Sequence, residues 1–234
     1  MNPPIAILAG GLATRLRPIT ESVPKVLVPV RGEPFAVHLL RLLARNGFGK
    51  VCFLVGHRGE EVVSALGDGS RFGLDLSYVF DGPLLRGTGG AIAHALPTLG
   101  PEFGVIYGDS WLDFDYRAAI ARFRADARPA LMTVYRNHGK WDTSNVEFEG
   151  GEIVAYSKSA LTPRMTHIDY GFGLFRSQVF ADIPLDRPTD LAVIYEDLAT
   201  RRQLAAHEVD VRFYEIGSHS GLAELETHLS RGVT

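Results

Sequence analysis

Leu8-Ala9-Gly10-Gly11-Leu12-Ala13-Thr14-Arg15-Leu16-Arg17-Pro18 follows at once on the apolar run Ile5 to Leu8, and that order decides the fold. A short buried strand ending in glycines belongs to an open α/β sheet. Ligands bind there past the carboxyl ends of the strands, and glycine lets backbone N–H groups approach them with no Cβ in the way. Gly10 and Gly11 suit that role. The spacing is not Gly-x-Gly-x-x-Gly and no Gly-Lys-Ser/Thr follows, so neither a nicotinamide fingerprint nor a Walker loop is supported. The continuation is basic instead. Arg15 offers a bidentate fork for phosphate oxygens, and ten residues on Pro24-Lys25 presents a point charge on a backbone stiffened by proline.

Outward from this stretch, short apolar runs alternate with amphipathic ones, the pattern of βαβ units around a mainly parallel sheet. Val51 to Val55, Leu76 to Phe80, Val105 to Tyr107 and Leu131 to Tyr135 read as strands. Phe35, Leu39, Leu40, Leu42 and Leu43 share one helical face, closed by Asn46-Gly47; further helices are expected at Glu60 to Leu66, from a Thr88 cap to Leu96, and at Tyr116 to Asp126. Beyond Asn137, Val146 to Phe148 and Ile153 to Tyr156 flank Glu149-Gly150-Gly151-Glu152, a hairpin signal. A strand at Ile168 to Phe175, a helix at Tyr195 to Ala205, a strand at Val209 to Ile216 and a closing helix at Leu222 to Leu229 complete the reading. The fold class expected is α/β: a three-layer Rossmann-like domain with a mainly parallel mixed central sheet and an added β-hairpin or lid segment. No low-complexity linker divides it, so residues 1–234 are read as one domain.

Composition narrows the function classes. Hydrophobic residues make up 46% and charged residues 22%, a soluble average that excludes disorder. A formal net charge of -3 leaves no electrostatic footprint for nucleic acid or an anionic membrane, so any anionic ligand is small. Cys52, the single cysteine, sits in an apolar run and reads as a core residue of a reducing compartment, which with the absence of a signal-peptide pattern or an apolar stretch of membrane length points to the cytoplasm. The eight histidines show no zinc-ligand spacing. Nothing separates a monomer from a homo-oligomer.

The stretch Leu8 to Pro18, then Pro24-Lys25, then Pro29-Val30-Arg31-Gly32-Glu33-Pro34 resembles the signature of the sugar-1-phosphate nucleotidylyltransferases, with Ala13 where that family usually has glycine. The resemblance continues in order along nearly the whole chain. It implies a nucleotidyltransferase fold similar to the GT-A type, with residues 1–136 mainly nucleotide-binding and 137–234 mainly sugar-phosphate-binding. It implies a nucleotide site formed by Leu8, Ala9, Gly10, Gly11, Thr14, Arg15, Lys25, Gly87, Thr88, Gly89 and Asp109, in which Gly87-Thr88-Gly89-Gly90-Ala91 is the second glycine-rich element. Asp109 of Gly108-Asp109 and Glu215 of Tyr214-Glu215-Ile216-Gly217-Ser218 would share Mg²⁺, glutamate standing where the family has aspartate. Lys158, Asp169, Gly171 and Glu196 would meet the sugar phosphate, although Ser157 replaces the family's usual acid before the lysine and Asp169 its usual asparagine. Arg15, Lys25 and Lys158 are then the catalytic cations.

The implied reaction joins a nucleoside triphosphate to a sugar 1-phosphate and releases pyrophosphate. The flavour of the chain is most similar to short bacterial heptose- or mannose-1-phosphate guanylyltransferases, which favours GTP; uridylyl- and cytidylyltransferases remain alternatives. Two other classes stay open: a glycosyltransferase using Asp113-Phe114-Asp115 as a metal-binding Asp-x-Asp, and an inactive nucleotide-sugar-binding regulatory subunit.

Overall fold

The computed structural model describes residues 1–11, 16 and 18–231. In chain order the first elements are β1 (Ile5–Ala9), α1 (Ile19–Ser22), β2 (Pro29–Val30), β3 (Glu33–Pro34), α2 (Phe35–Arg45), β4 (Lys50–Val55), α3 (Gly59–Leu66), β5 (Asp75–Phe80), α4 (Gly87–Leu99) and β6 (Glu102–Tyr107). There follow β7 (Ser110–Trp111), α5 (Tyr116–Ala125), β8 (Ala130–Arg136), β9 (Val146–Glu149), β10 (Glu152–Tyr156), β11 (His167–Arg176), α6 (Leu191–Thr200), β12 (Leu204–Val209), β13 (Tyr214–Glu215) and α7 (His219–Ser230). The architecture is the expected α/β one, a mixed sheet flanked by helices. Two compact units share the chain: Met1–Leu85, Ile106–Asp113 and Phe213–Thr234 form the first, Arg86–Val105 and Phe114–Arg212 the second.

In the first unit β1, β4 and β5 are parallel, with Ile5 opposite Val51 and Val51 opposite Leu76. Strands buried on both faces have no polar alternation, which is why Ile5, Ala6, Ile7 and Val51 to Val55 are almost continuously apolar and buried. Phe35, Leu39, Leu40, Leu42 and Leu43 of α2 are all buried, as their spacing requires, each contributing about 1.5–3 kcal/mol relative to exposure. Asn46 closes that helix by donating from its side chain to Leu42 O at 2.9 Å, and Gly47 follows at φ 79°. Cys52 is 2% exposed, and burial pushes its thiol pKa up, as a core role demands.

In the second unit β8 pairs antiparallel with β11 and parallel with β12, and β9 pairs with β10 as a hairpin. The hairpin turn uses Gly150 at φ 57° and Gly151 at φ 84°, the left-handed pair a two-residue primed turn needs. Asp115 caps α5 through Arg117 N and Ala118 N, and Asp190 caps α6 through Ala192 N.

Three expectations need correction. The helix expected over Tyr195 to Ala205 instead begins at Leu191 and ends at Thr200, and Leu204–Val209 is a strand. Arg202 in the left-handed region (φ 57°) and Gln203 N–H bonding Leu198 O at 2.8 Å stop the helix, and the open edge of β8 takes up the following residues. Only Tyr214–Glu215 of the expected strand Val209 to Ile216 pairs outside β12, and it pairs with β7. Thr88 does not cap α4, because its hydroxyl is bonded to the start of α6. No helix among the described residues is long and apolar enough to cross a membrane.

Candidate active site

In the first unit the carboxyl ends of the strands are crowded backbone. Gly108 N–H donates to Leu8 O at 2.9 Å, and a Cβ on Gly108 would stand 2.6 Å from that oxygen. A Cβ on Gly56 would stand 2.9 Å from Gly10 O, and one on Gly10 3.3 Å from Asp81 Oδ2. Glycine at Gly56 and Gly108 is therefore a steric requirement, because a Cβ at either would run into backbone oxygen, whereas at Gly10 the fit would be tight. Leu8 and Ala9 form the end of β1, whereas a Cβ on Gly11 would meet nothing within 4 Å, so the loop opens there. Leu12 to Arg15 and Arg17 lie outside the described residues, and with them the assignments to Thr14 and Arg15 and the question of Ala13.

Lys25 begins a single 3-10 turn, Lys25–Leu27, anchored by buried Val26 and entered from Pro24 at φ -53°. Its ammonium is ion-paired with Asp109 Oδ2. The backbone of Asp109 is held in turn, its carbonyl accepting from Ile216 N–H at 2.9 Å, and Glu215 pairs with Ser110 across β13 and β7. Glu215 spends its extra methylene by curling back: Oε2 accepts from Gly217 N–H, and Oε1 from the Ser218 hydroxyl at 3.1 Å. Ser218 also caps α7 through Gly221 N–H at 3.0 Å. The point where a Gly217 Cβ would sit is 2.0 Å from Glu215 Oε2 and 3.1 Å from Lys25 Nζ, so ammonium and both carboxylates share one small volume.

That donor set fits Mg²⁺. A hard cation that keeps its water and phosphate ligands is bound by one or two carboxylates rather than by a full protein cage. Two acids converge here, and the described residues hold no group of three or more His, Cys, Asp and Glu suited to a metal.

In the second unit the second glycine-rich element is locked onto the loop before α6. Gly89 N–H and Gly90 N–H both donate to Thr189 O, at 2.8 and 3.2 Å, and Gly87 (φ 69°) has room for no Cβ, which would stand 2.6 Å from that oxygen. Thr88 Oγ1 accepts from Leu191 N–H at 2.8 Å and donates to Asp190 Oδ1 at 3.1 Å. These glycines thus allow two helix N-termini to interlock.

In the second unit the charges of Asp169 on β11, Glu196 on α6 and Asp190, which caps α6, act on Tyr156 of β10. Asn145 ties two of these segments together: its carbonyl accepts from Ser157 N–H at 3.0 Å and its side chain from Asp169 N–H at 3.1 Å. Asp169 accepts from Gly171 N–H at 3.0 Å, but burial outweighs that bond and the charge of Lys158 and raises its pKa to about 6. The Tyr156 ring meets that of Tyr195 edge-on at 5.7 Å, next in sequence to Glu196. The buried Tyr156 hydroxyl has no hydrogen-bond partner among the described residues, and burial, with the nearby charges of Asp169, Asp190 and Glu196, raises its pKa.

Residues 5–223 match the nucleotidyl transferase family model. The chain belongs to that family. Among relatives of this nucleotidyl transferase, the UTP–glucose-1-phosphate uridylyltransferase of Synechocystis is 30% identical over 79% of the chain, which spans only about half (52%) of that protein. The N-acetylmuramate alpha-1-phosphate uridylyltransferase of Neisseria meningitidis is 27% identical over 94% of the chain and 95% of its own length. A Bacillus anthracis structure assigned as a glucose-1-phosphate thymidylyltransferase superposes with a TM-score of 0.85 over 100% of this chain and 97% of its own, at 24% identity, a likeness of fold.

The structure of the transferase thus joins Lys25, Asp109 and Glu215 in one unit; in the other it bonds Asp169 to Gly171, with the charge of Lys158 acting on Asp169 and that of Glu196 on Tyr156. It also shows residues that sequence reasoning passed over. Asp81, only 7% exposed, follows β5 and faces Gly10; an acid directly after a strand was the available signal. Tyr156, Asp190 and Asn145 carried none, since each is explained locally as core, cap or loop. Asp113 is ion-paired to Arg45 at 2.9 Å and Asp115 is the α5 cap, so both acids of the Asp-x-Asp tripeptide have structural duties.

Proposed function

We propose that the chain transfers a nucleotidyl group from a nucleoside triphosphate to a sugar 1-phosphate, releasing pyrophosphate. The observation that carries this reading is Lys25 held beside Asp109 and Glu215, next to the close backbone approach of Gly108 to Leu8. An oxygen of the sugar phosphate forms a bond to the α-phosphorus as the bond from α-phosphorus to the bridging oxygen breaks. The attacking group is already anionic near neutral pH, so the chemistry needs charge neutralisation and alignment rather than a protein base.

Lys25 neutralises the α and departing phosphates, Arg15 the β and γ phosphates, and Lys158 the incoming sugar phosphate. The backbone of Leu8 to Gly11 borders the nucleotide. Asp109 and Glu215 would hold Mg²⁺, which when bound withdraws charge from the phosphate oxygens. Before substrate arrives, the Asp109 carboxylate keeps the Lys25 ammonium in place. GTP is the donor we favour, on the resemblance carried by Gly87 to Ala91, with heptose or mannose 1-phosphate as acceptor and a uridylyl transfer as the second choice.

The test is a pyrophosphate-release screen of four nucleoside triphosphates against a panel of sugar 1-phosphates with Mg²⁺. Release that depends on both substrates is expected; binding without turnover would make the chain a nucleotide-sugar sensor, and release of a nucleoside diphosphate from a nucleotide-sugar donor in a parallel assay would make it a glycosyltransferase.

A further inference from the structure

The hairpin of β2 and β3 turns on Arg31 (φ 51°) and Gly32 (φ 83°), with Val30 opposite Glu33. A two-residue turn of this kind needs positive φ at both positions, and asparagine, aspartate or glycine suits the first. Arginine there carries a backbone cost, so its side chain calls for a task. Its partners lie some 200 residues on. Arg31 Nη1 donates to Leu229 O and Arg31 N–H to Glu226 Oε1 at 3.0 Å, so one residue grips the end of α7 twice. His228, in the last turn of that helix, stacks on Tyr214 with ring centroids 4.3 Å apart and planes 21° apart.

The other end of α7 bears on Glu215. Ser218 Oγ bonds both Glu215 Oε1 and Gly221 N–H, and Gly221 has no room for a Cβ, which would stand 2.4 Å from Glu215 O and 2.7 Å from Oε1. Close-packed groups transmit displacement, so where α7 lies is where that carboxylate lies. The gripping hairpin itself starts just past Lys25, with Val28 N–H on Lys25 O at 3.1 Å. Resting on the nucleotidyl-transfer reading and on Asp109 and Glu215 as the Mg²⁺ ligands, we propose that Arg31 is a positioning residue: it fixes α7 to the hairpin that follows Lys25, and α7, through Ser218 and Gly221, sets where Glu215 presents its oxygens. His228 serves the same end through Tyr214, the residue before Glu215. A misplacement of about 1 Å at a reacting centre costs on the order of 10²-fold, which gives a residue outside the reacting groups its leverage.

The experiment measures Mn²⁺ affinity of the full chain by electron paramagnetic resonance, with steady-state kinetics beside it, in Arg31→Gly, Arg31→Lys, His228→Ala and His228→Phe. Glycine suits the turn and removes only the side-chain grip, lysine keeps a donor for Leu229 O, and phenylalanine keeps the stack on Tyr214. Arg31→Gly and His228→Ala are expected to weaken Mn²⁺ binding at least threefold and to lower kcat at least fivefold, with KM for the triphosphate within twofold of the parent, while Arg31→Lys and His228→Phe recover most of both losses. Mn²⁺ affinity equal to the parent's in Arg31→Gly and His228→Ala overturns the proposal, whatever happens to their melting temperatures, and leaves nucleotidyl transfer intact. A parent that binds no Mn²⁺ overturns the metal assignment and the proposal with it. Absence of pyrophosphate from every substrate pair overturns the transfer reading, and Mn²⁺ affinity alone then decides whether Arg31 positions Glu215.

Discussion

Two groups of acids in this chain, one in each compact unit, are built from similar side chains in different surroundings. At Asp109 and Glu215 an ammonium is placed among the carboxylates, and Glu215 is further bound by a backbone N–H and a hydroxyl. At Asp169 burial dominates, so that carboxyl holds its proton up to about pH 6, and the neighbouring tyrosine hydroxyl is left unpaired. At Asp169 one N–H and the charge of Lys158 do not outweigh the water that the fold removes. The first arrangement meets its acids with partners from the fold itself.

The largest effect that tests this contrast is Lys25→Ala. Removing a preorganised charge costs roughly 10²-fold or more in rate, about 3 kcal/mol, so kcat should fall far more than KM rises in steady-state kinetics. Wild-type turnover would remove the ammonium from the chemistry and make the two clusters alike.

Next comes Gly217→Ala. Its Cβ would stand 2.0 Å from Glu215 Oε2, so the carboxylate must swing away although the strand pair beneath it survives. We expect a tenfold or greater loss of kcat with a melting temperature within a few degrees of the parent; a loss confined to stability would show that the position of Glu215 is structural only.

The third variant, Asp169→Asn, concerns stability against pH. A carboxyl whose folded pKa is raised from 3.8 to about 6 binds its proton more tightly in the folded than in the unfolded state. Its contribution is greatest below the unfolded value and is lost as pH rises through the folded one, a fall of order 1–3 kcal/mol between about pH 4 and pH 6. Denaturant melts across that window should show a step in the parent that Asp169→Asn flattens. A step that persists would place its origin elsewhere.

The smallest effect belongs to Tyr156→Phe. A buried hydroxyl with no partner among the described residues contributes nothing to the fold, so stability in denaturant melts should stay level or rise by up to about 1 kcal/mol. A clear loss of stability would mean that the hydroxyl is already satisfied.

Much of this was legible in the chain because it is local. The strand-then-glycine order at Ile5 to Gly11, the α2 face and the Gly150-Gly151 turn each follow from one element's own periodicity or backbone demand. Where the reading failed, a partner distant in sequence decided. Residues 204–209 are compatible with the end of a helix and became a strand because β8 offers a parallel edge some 74 residues earlier, as in Leu204 opposite Ala130. Thr88 could cap its own helix and instead serves the start of α6.

By itself, the sequence determined the α/β class, the glycine-rich end of the first strand and the identities of the charged residues available for phosphate chemistry, because alternation, glycine and charge are properties of single segments. Tertiary structure alone decided that Lys25 meets Asp109, that Glu215 folds back onto Gly217 and Ser218, and that Tyr156 stands unpaired near three acids. The physical reason is common to all three: solvation and charge pairing depend on which remote groups share a volume, and that is fixed only when the chain closes on itself.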